Sequence, residues 1–303
     1  MIGKIIWQVL ALFLALMVLA ACSANQTGPE AYTSNVNIHE REEVRLKELD
    51  PADLLSVHFI DVGEGDAILV VQGDSVMLVD GGPAEIGSTV FYYLRDHGID
   101  KLEYLIATHP FGDHIGGLPD VLQRMSVKNV LLPMVYHDTP AYNALLAAVE
   151  ESGADTSVPF AGHTFTLGDA HITILSPKPT DEWENRANYS IVMWVEFGET
   201  SFLLPGDAMR QVEANLLDGT TRLSSDVLKV ARHGAASATT SGFLDEVNPS
   251  IAVISAGDYN SFLSQEVLRR LGNVGARVYR TDLNGNVVIT SDGSNLDVAV
   301  ERN

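Results

Sequence analysis

Two histidines and an aspartate lie within six residues of one another, in the segment Thr108-His109-Pro110-Phe111-Gly112-Asp113-His114. This segment follows the apolar run 102–107, which is typical of a buried strand. A strand that ends in a tight loop can direct all three side chains towards one metal ion, since imidazole nitrogens and carboxylate oxygens are common metal ligands. Phe111 stands at the position where a two-metal cluster would need another ligand. The segment therefore predicts a metal site that has lost one ligand.

Further ligand-type residues follow predicted strands later in the chain. Asp207 comes after the apolar run 201–204 and a glycine, and His233 comes after the run 227–231. With the first loop they form a plausible ligand set for one metal ion: Asp113, His114, Asp207 and His233. Hydrolysis at neutral pH needs a hydroxide nucleophile, and a divalent metal lowers the pKa of bound water to about 7. The pattern therefore predicts a metal-dependent hydrolytic site.

The individual roles within this site follow from side-chain chemistry. Asp113 is the predicted catalytic residue, because its carboxylate can orient a nucleophilic water or accept its proton. His109 is expected to line the open side of the metal. Taken alone, Asp113 or Asp207 could simply cap the following helix, and His109 could be an ordinary histidine at a loop end. Asp61, Asp66 and Asp80 lie in Gly-rich strand ends, and they are expected to orient ligands or to stabilise turns rather than to bind metal.

The elements that must position these residues alternate in type along the chain. Predicted helices cover residues 86–95, 115–125, 141–151, 208–217, 241–247 and 265–271. Predicted strands cover residues 54–62, 67–71, 76–79, 102–107, 130–135, 164–167, 170–175, 190–197, 201–204, 227–231, 251–255, 276–280 and 287–289. Their order predicts two similar α/β halves whose sheets pack face to face. Hairpins are expected at Gly73-Asp74 and, near the end, at Asn284-Gly285-Asn286.

Several motifs in this order resemble one known domain. They are His58-Phe59-Ile60-Asp61-Val62-Gly63-Glu64-Gly65-Asp66-Ala67, Leu78-Val79-Asp80-Gly81-Gly82, the segment 108–114, Phe202-Leu203-Leu204-Pro205-Gly206-Asp207, Leu228-Lys229-Val230-Ala231-Arg232-His233-Gly234 and Tyr279-Arg280-Thr281-Asp282-Leu283-Asn284-Gly285. Over residues 54–289 the chain resembles the metallo-β-lactamase-fold domain of ComEC-type competence proteins. The resemblance implies an α/β fold, a four-layered αβ/βα sandwich, with a one- or two-metal hydrolytic site at one edge. It also implies a phosphoester, nuclease-like substrate class.

The chain departs from this family pattern at three places around the site. Phe111 replaces a His or Asp, Arg232-His233-Gly234-Ala235 replaces His-His-Gly-Ser, and Ser264-Gln265 replaces a His-Pro pair that follows an Asn near Asn260. Each change removes a metal ligand or a polar group. The expected cofactor is therefore one zinc ion rather than two, with manganese as another suitable metal and no metal in an inactive site.

Three other residues are expected near the substrate or the depleted half of the site. Asn188 can face the position that Phe111 weakens, although an amide is a poor zinc ligand. Arg232 could bind a substrate anion or simply place a fixed cation where a metal charge would lie. His137 could replace the missing ligand or contact substrate, and its simpler interpretation is a histidine in a surface loop.

The first residues have the layout of an export signal. Lys4 precedes a mostly apolar run, which ends in Leu19-Ala20-Ala21-Cys22, and this ending resembles a bacterial lipobox. The predicted organisation is a lipoprotein signal peptide over 1–22 with lipid on Cys22, a polar tether over 23–53 and a metallo-β-lactamase-like domain over 54–303. An uncleaved transmembrane anchor is the alternative. Both place the domain outside the cytoplasm, and the lipid would anchor it to the bacterial cell membrane.

Charge and cysteine content restrict the possible partners. The chain has 19 basic and 40 acidic residues, a net charge of −21, and Cys22 is its single cysteine. Such an acidic chain repels phosphate backbones, so tight nucleic-acid binding is not expected, and the domain has no disulfides. Two functions remain open: an extracytoplasmic metal-dependent hydrolase whose substrate is unknown, or an inactive relative that acts as a surface binding or scaffold protein.

Overall fold

The computed structural model describes residues 50–219, 221–257 and 262–302. The predicted signal peptide and the tether up to residue 49 lie outside these residues. Pro51–Asp53 form a single 3-10 turn before the first strand. In the described part of the chain, no helix has the length and apolar character needed to cross a membrane.

Two sheets form the centre of the domain. The strands of the first are β1 (Leu55–Phe59), β2 (Ile68–Gln72), β3 (Ser75–Val79), β4 (Lys101–Ile106), β5 (Ser126–Leu131), β6 (Asp155–Ser157), β14 (Val287–Ser291) and β15 (Leu296–Val300). Within the described residues this sheet has the order β15-β14-β1-β2-β3-β4-β5-β6. The pairs from β3 to β6 are parallel, and the others are antiparallel.

The second sheet repeats this arrangement. Its strands are β7 (Thr164–Leu167), β8 (Ala170–Ser176), β9 (Val192–Phe197), β10 (Thr200–Leu204), β11 (Val227–Lys229), β12 (Ile251–Ile254) and β13 (Arg277–Arg280). They follow the order β13-β12-β11-β10-β9-β8-β7 in the described ranges, with parallel pairs from β10 to β13. In both sheets the parallel half brings the carboxyl ends of neighbouring strands together, where loops can form a site.

Helices cover the outer face of each sheet. They are α1 (Gly87–Asp96), α2 (Gly112–Ile115), α3 (Leu118–Arg124), α4 (Pro140–Ser152), α5 (Arg210–Leu217), α6 (Ser241–Val247), α7 (Gln265–Asn273) and α8 (Thr281–Asn284). One apolar cluster joins the two sheets, for example Val57 with Phe202. A second cluster packs α1, α3 and α4 on the first sheet, and a third packs α5, α6 and α7 on the second. The predicted four-layered αβ/βα sandwich is confirmed.

Three of the secondary-structure predictions are wrong: one hairpin, one helix and one strand. The hairpin expected at Asn284-Gly285-Asn286 is a crossover, because β13 pairs with β12 in the second sheet whereas β14 pairs with β1 in the first. The helix expected over 115–125 begins only at Leu118, as α3, and α2 is a separate turn before it, since Gly117 donates its N–H to the carbonyl of Gly82 and packs too closely on Gly81 to carry a side chain. The strand expected over 130–135 lies earlier, as β5, so His137 does not directly follow a strand.

A buried histidine in β1 makes the stability of the domain dependent on pH. His58 is 8% exposed, and its two ring nitrogens contact the hydroxyls of Tyr93 and Ser56 at 2.8 and 3.1 Å. Burial, followed by the neighbouring His97, lowers the pKa of His58 to about 4. Between pH 6.5 and pH 4 the unfolded chain therefore gains a proton that the folded domain does not, and this destabilises the fold as the pH falls.

We expect His58 to cost about 2 kcal/mol of stability between pH 7.5 and pH 5. Urea unfolding of wild-type protein and His58→Gln at several pH values measures this difference. The wild-type curve should fall more steeply than that of the variant over this range. The exposed control His171→Ala should keep the wild-type slope, and equal slopes for wild type and His58→Gln would contradict the assignment.

Candidate metal centre

The ligand-type residues predicted from the sequence meet where strands of the two sheets end. The loop that carries Asp113 and His114 follows β4, Asp207 follows β10, and His233 lies just after β11. Asp207 and both histidines are almost completely buried, whereas the side chain of Asp113 is 37% exposed. Asp113 is therefore the member of this set that faces solvent.

Ligand atoms of His114, His233 and Asp207 lie close together, and that of Asp113 lies somewhat further from the two histidines. The Nε2 atoms of His114 and His233 lie 3.3 Å apart, and Oδ1 of Asp207 lies 3.4 and 3.7 Å from them. Oδ2 of Asp113 lies 4.0 and 3.9 Å from the same two nitrogens. Ligand atoms bound tetrahedrally at 2.0–2.1 Å from a metal lie about 3.3 Å apart. The spacing therefore fits a single metal ion.

Asp80 orients one of these ligands. It accepts hydrogen bonds from the backbone N–H of Thr108 at 2.8 Å and from its hydroxyl at 2.6 Å. Its Oδ2 also lies 2.8 Å from Nδ1 of His114, which can donate its hydrogen there. With the Nδ1 hydrogen held by Asp80, Nε2 of His114 is the ring nitrogen that faces Asp207 and His233, and it is the one that would offer its lone pair to a metal ion. A carboxylate that fixes a ligand imidazole in this way is common in metal sites, and it agrees with the expected role of Asp80.

A buried ion pair lies beneath the cluster. Lys229, in β11, has no exposed surface and forms an ion pair with Asp66, which is 1% exposed. Its Nζ also donates to the carbonyl of Gly206, 3.2 Å away, in the residue that precedes Asp207. Asp66 in turn lies 3.6 Å from Nδ1 of His114. Lys229 is a site residue that the sequence interpretation missed, although a lysine inside an apolar strand is itself a signal.

The protonation of the cluster follows from these charges. Burial alone would lower the pKa of His114, but Asp207 and Asp66 outweigh it and raise that pKa well above its ordinary value. Burial alone would raise the pKa of Asp207, yet the neighbouring His114 and His233 hold it well below its ordinary value. Without a metal the cluster is therefore held together by a proton on His114. A metal ion would have to displace that proton, which couples metal binding to pH.

The other half of the site has two ligand-type residues beside an aromatic ring. Nε2 of His109 is buried without a hydrogen-bond partner and lies 3.8 Å from Oδ2 of Asp207. Burial, reinforced by His114, lowers the pKa of His109 to about 3, so its imidazole is neutral at physiological pH. The ring of Phe111 packs edge-on against that of His109 with centroids 5.1 Å apart. This half of the site therefore offers two donor atoms and an apolar wall.

The remaining predicted site residues lie around this centre without adding a ligand. The side-chain oxygen of Asn188 accepts a hydrogen bond from the N–H of Met209, and Arg232 directs its guanidinium to Met209 and to Ser237. The ring centroids of His137 and Phe111 lie 5.7 Å apart. Nδ1 of His137 is buried without a hydrogen-bond partner. Within the described ranges, His137 belongs to none of the groups of closely spaced ligand atoms.

Fold and site together define a class of protein. The family model of the metallo-beta-lactamase superfamily matches residues 60–258, and the chain belongs to this superfamily. The solved structure of the metallo-beta-lactamase fold protein YhfI from Bacillus subtilis shows the same fold. It has a TM-score of 0.53 and 14% identity, and the match covers 78% of this chain and 100% of that one.

Its curated relatives include a competence protein and a recombination protein. The chain is 32% identical over 251 residues to ComE operon protein 3 of Bacillus subtilis (strain 168). The matched region covers 76% of this chain and 32% of that protein. It is 28% identical over 253 residues to Recombination protein 2 of Haemophilus influenzae, which covers 81% of this chain and 30% of that protein. The predicted resemblance to ComEC-type competence proteins is confirmed. The chain spans just under a third of the length of these relatives.

Proposed function

We propose that this protein is an extracytoplasmic hydrolase that uses one metal ion to cleave phosphoester bonds. The observation that carries the proposal is the convergence of His114, His233 and Asp207 on one point, with distances of 3.3–3.7 Å between their ligand atoms. Oδ1 of Asp207 is buried and has no hydrogen-bond partner. Without a metal its charge is balanced by protonated His114, whose Nε2 lies 3.4 Å away, and a metal ion would take the place of that proton.

The donor set suits zinc or manganese. Two imidazole nitrogens and two carboxylate oxygens are borderline ligands, which these metals accept, and His114, His233, Asp207 and Asp113 would hold the ion. Such a metal supplies a nucleophilic hydroxide at neutral pH and polarises the phosphoryl oxygen. Asp113 has the most exposed side chain of the four, so it is the group positioned to accept a proton from an incoming water. The Thr108 hydroxyl donates to Asp80 and can accept the Nδ1 hydrogen of neutral His109, 3.0 Å away, so the unpartnered Nε2 of His109 keeps a lone pair that can accept a hydrogen bond from substrate.

The test is to measure metal content and hydrolysis on the same preparations of full-length protein. We expect about one equivalent of zinc or manganese and cleavage of bis(p-nitrophenyl) phosphate that chelator abolishes. His114→Ala should lose both, whereas the exposed control His171→Ala should retain both. A wild-type protein that takes up no metal and keeps its melting temperature in zinc would overturn the proposal. The protein would then be the inactive binding or scaffold protein that the loss of a ligand at Phe111 also suggests.

Phe111 provides a separate test of the number of metals. We expect Phe111→His to raise the metal content from about one to about two equivalents, because a third donor would join His109 and Asp207 in the depleted half. Atomic absorption on protein equilibrated with zinc measures the ratio. The control Phe111→Leu removes the ring without adding a donor and should stay at the wild-type value. A single equivalent in Phe111→His would show that this half cannot form a metal site.

The extracytoplasmic location rests on the segment that ends at Cys22, which lies outside the described residues. We expect the full-length protein, expressed in a bacterial host, to incorporate an alkynyl palmitate and to fractionate with membranes. Cys22→Ser should incorporate none and should keep its signal peptide, visible as a larger mass, whereas the neighbouring control Ser23→Ala should be labelled. A wild-type protein that is membrane-bound but unlabelled would instead indicate an uncleaved anchor.

A further inference from the structure

A cavity of about 540 Å³ opens beside the proposed metal centre. Asp113 forms part of its wall, so the cavity is continuous with the solvent-exposed ligand of the cluster. Glu64 and Glu85 provide two further carboxylates of the lining. None of the described residues that line this cavity is Lys, Arg or His. In the part of the chain that the structure describes, the charged side chains of this lining are therefore all acidic.

The cavity is not purely acidic, because the rest of its wall is apolar. Val62, Pro83 and Ile86 line it together with Phe262, which is 41% exposed. An apolar and aromatic wall favours a weakly hydrated organic cation over a small metal ion, because a metal ion keeps its water or needs a full shell of oxygens. Large, mostly apolar cavities with a few polar groups are the usual form of small-molecule sites.

The backbone segments next to Glu64 and Glu85 pack closely against the segment that carries Asp113. A side chain at Gly65 would overlap the carbonyl oxygen of Asp113, and one at Gly116 would overlap the backbone nitrogen of Ala84. The loop with Glu64 and the turn with Glu85 are thus packed against the loop that carries the metal ligands. The negative charge is therefore present before any ligand arrives, which lowers the cost of binding a cation.

One carboxylate oxygen in the wall has no partner. Oε1 of Glu64 is buried and accepts no hydrogen bond. Glu85 is exposed and hydrated, so the group in the wall that a bound cation would compensate is the unpartnered carboxylate oxygen of Glu64. A buried carboxylate without a counter-charge is unfavourable, and a bound cation would relieve this.

We propose that this cavity binds an alkylated ammonium group, such as a quaternary ammonium, carried by the substrate. The inference rests on the proposed function, since it takes the neighbouring metal cluster as the centre where the bond is cleaved. The substrate class is then a phosphoester with a positively charged organic substituent. Nucleic acid is disfavoured, because its next phosphate would enter a cavity that contains three carboxylates.

Binding of a matched pair of small molecules tests the cavity without requiring turnover. Choline and its uncharged analogue 3,3-dimethylbutan-1-ol have nearly the same shape and differ in the charge at one atom. Calorimetry on full-length protein, with chelator and again with zinc, should give a dissociation constant at least about tenfold lower for choline. The double variant Glu64→Gln/Glu85→Gln should lose this preference, and the control Glu150→Gln, an exposed residue of α4, should keep it. Equal binding of the two molecules, or displacement of choline by equimolar Ca²⁺, would overturn the assignment.

Hydrolysis by the same preparations separates this inference from the proposed function. We expect p-nitrophenyl phosphorylcholine to be cleaved with a higher kcat/KM than bis(p-nitrophenyl) phosphate, and the ratio to fall towards one in Glu64→Gln/Glu85→Gln. Metal-dependent cleavage of bis(p-nitrophenyl) phosphate without selective choline binding would leave the hydrolase standing and overturn the cavity assignment. Selective choline binding without any metal-dependent cleavage would support the cavity as a cation site and overturn the proposed hydrolase.

Discussion

Lys229→Met is expected to lower the free energy of unfolding by about 3–5 kcal/mol. Lys229 and Asp66 form an ion pair from which water is excluded, since their side chains are 0% and 1% exposed. Methionine fills much of the same volume, so the loss of packing is small, whereas Asp66 is left as a buried charge without its principal partner. Breaking one side of a buried pair is costly for this reason. The carbonyl of Gly206 also loses the hydrogen bond that it accepts from Nζ.

Urea denaturation of metal-free protein measures this loss, and a second variant identifies its cause. If the cost comes from the unpaired charge, then Lys229→Met/Asp66→Asn should recover part of the stability that Lys229→Met loses, because no isolated charge remains. Lys229→Arg keeps the charge but needs more room in a fully buried position, so it should be destabilised by the strain alone. A loss below about 1 kcal/mol in Lys229→Met would show that Asp66 is already compensated by His114, which lies 3.6 Å away.

The sequence was sufficient for the fold where the signal is local. Runs of alternating or continuous apolar residues located most strands, and helix α6 was predicted with its observed bounds. The hairpin predicted near the C-terminus was wrong, because a turn motif such as Asn284-Gly285-Asn286 indicates that the chain reverses but does not indicate which sheet the next strand joins. The sheet that β14 joins is determined by β1, a strand far earlier in the chain. The two strands pair antiparallel, with Phe59 opposite Val287 and Leu55 opposite Ser291.

For the site, the sequence identified the ligand-type residues but not what supports them. His114, Asp207 and His233 were predicted together, since each follows a strand, and the structure brings their ligand atoms within 3.7 Å of one another. Lys229 was missed because its partner, Asp66, lies in the loop between β1 and β2 of the other sheet, and only the packing of the two sheets brings the charges together. The sequence pattern also could not show that Asn188 and Arg232, which were expected near the substrate, form hydrogen bonds with local groups around Met209.

Asp207→Asn is expected to lower metal affinity by at least about 100-fold and hydrolysis by about 1000-fold. Asp207 is the carboxylate whose oxygens lie between the two halves of the site: Oδ1 is 3.4 Å from His114 and 3.7 Å from His233, and Oδ2 is 3.8 Å from His109. Asparagine keeps the shape of the side chain but removes its negative charge and replaces one oxygen with a hydrogen-bond donor. That donor cannot bind a metal, so the variant tests the charge and the ligand atom without creating a cavity.

A competition titration with a chromogenic zinc chelator measures the affinity, and cleavage of bis(p-nitrophenyl) phosphate at saturating zinc measures the hydrolysis. Asp245→Asn, an exposed position in α6, makes the same chemical change away from the site and should match wild type in both assays. Because Asp207 also raises the pKa of His114, its loss should let that imidazole release its proton at lower pH, and metal uptake by the variant should depend less steeply on pH. A variant with wild-type affinity would place the metal away from Asp207, since no neutral amide can replace a carboxylate that faces three histidines without a measurable cost.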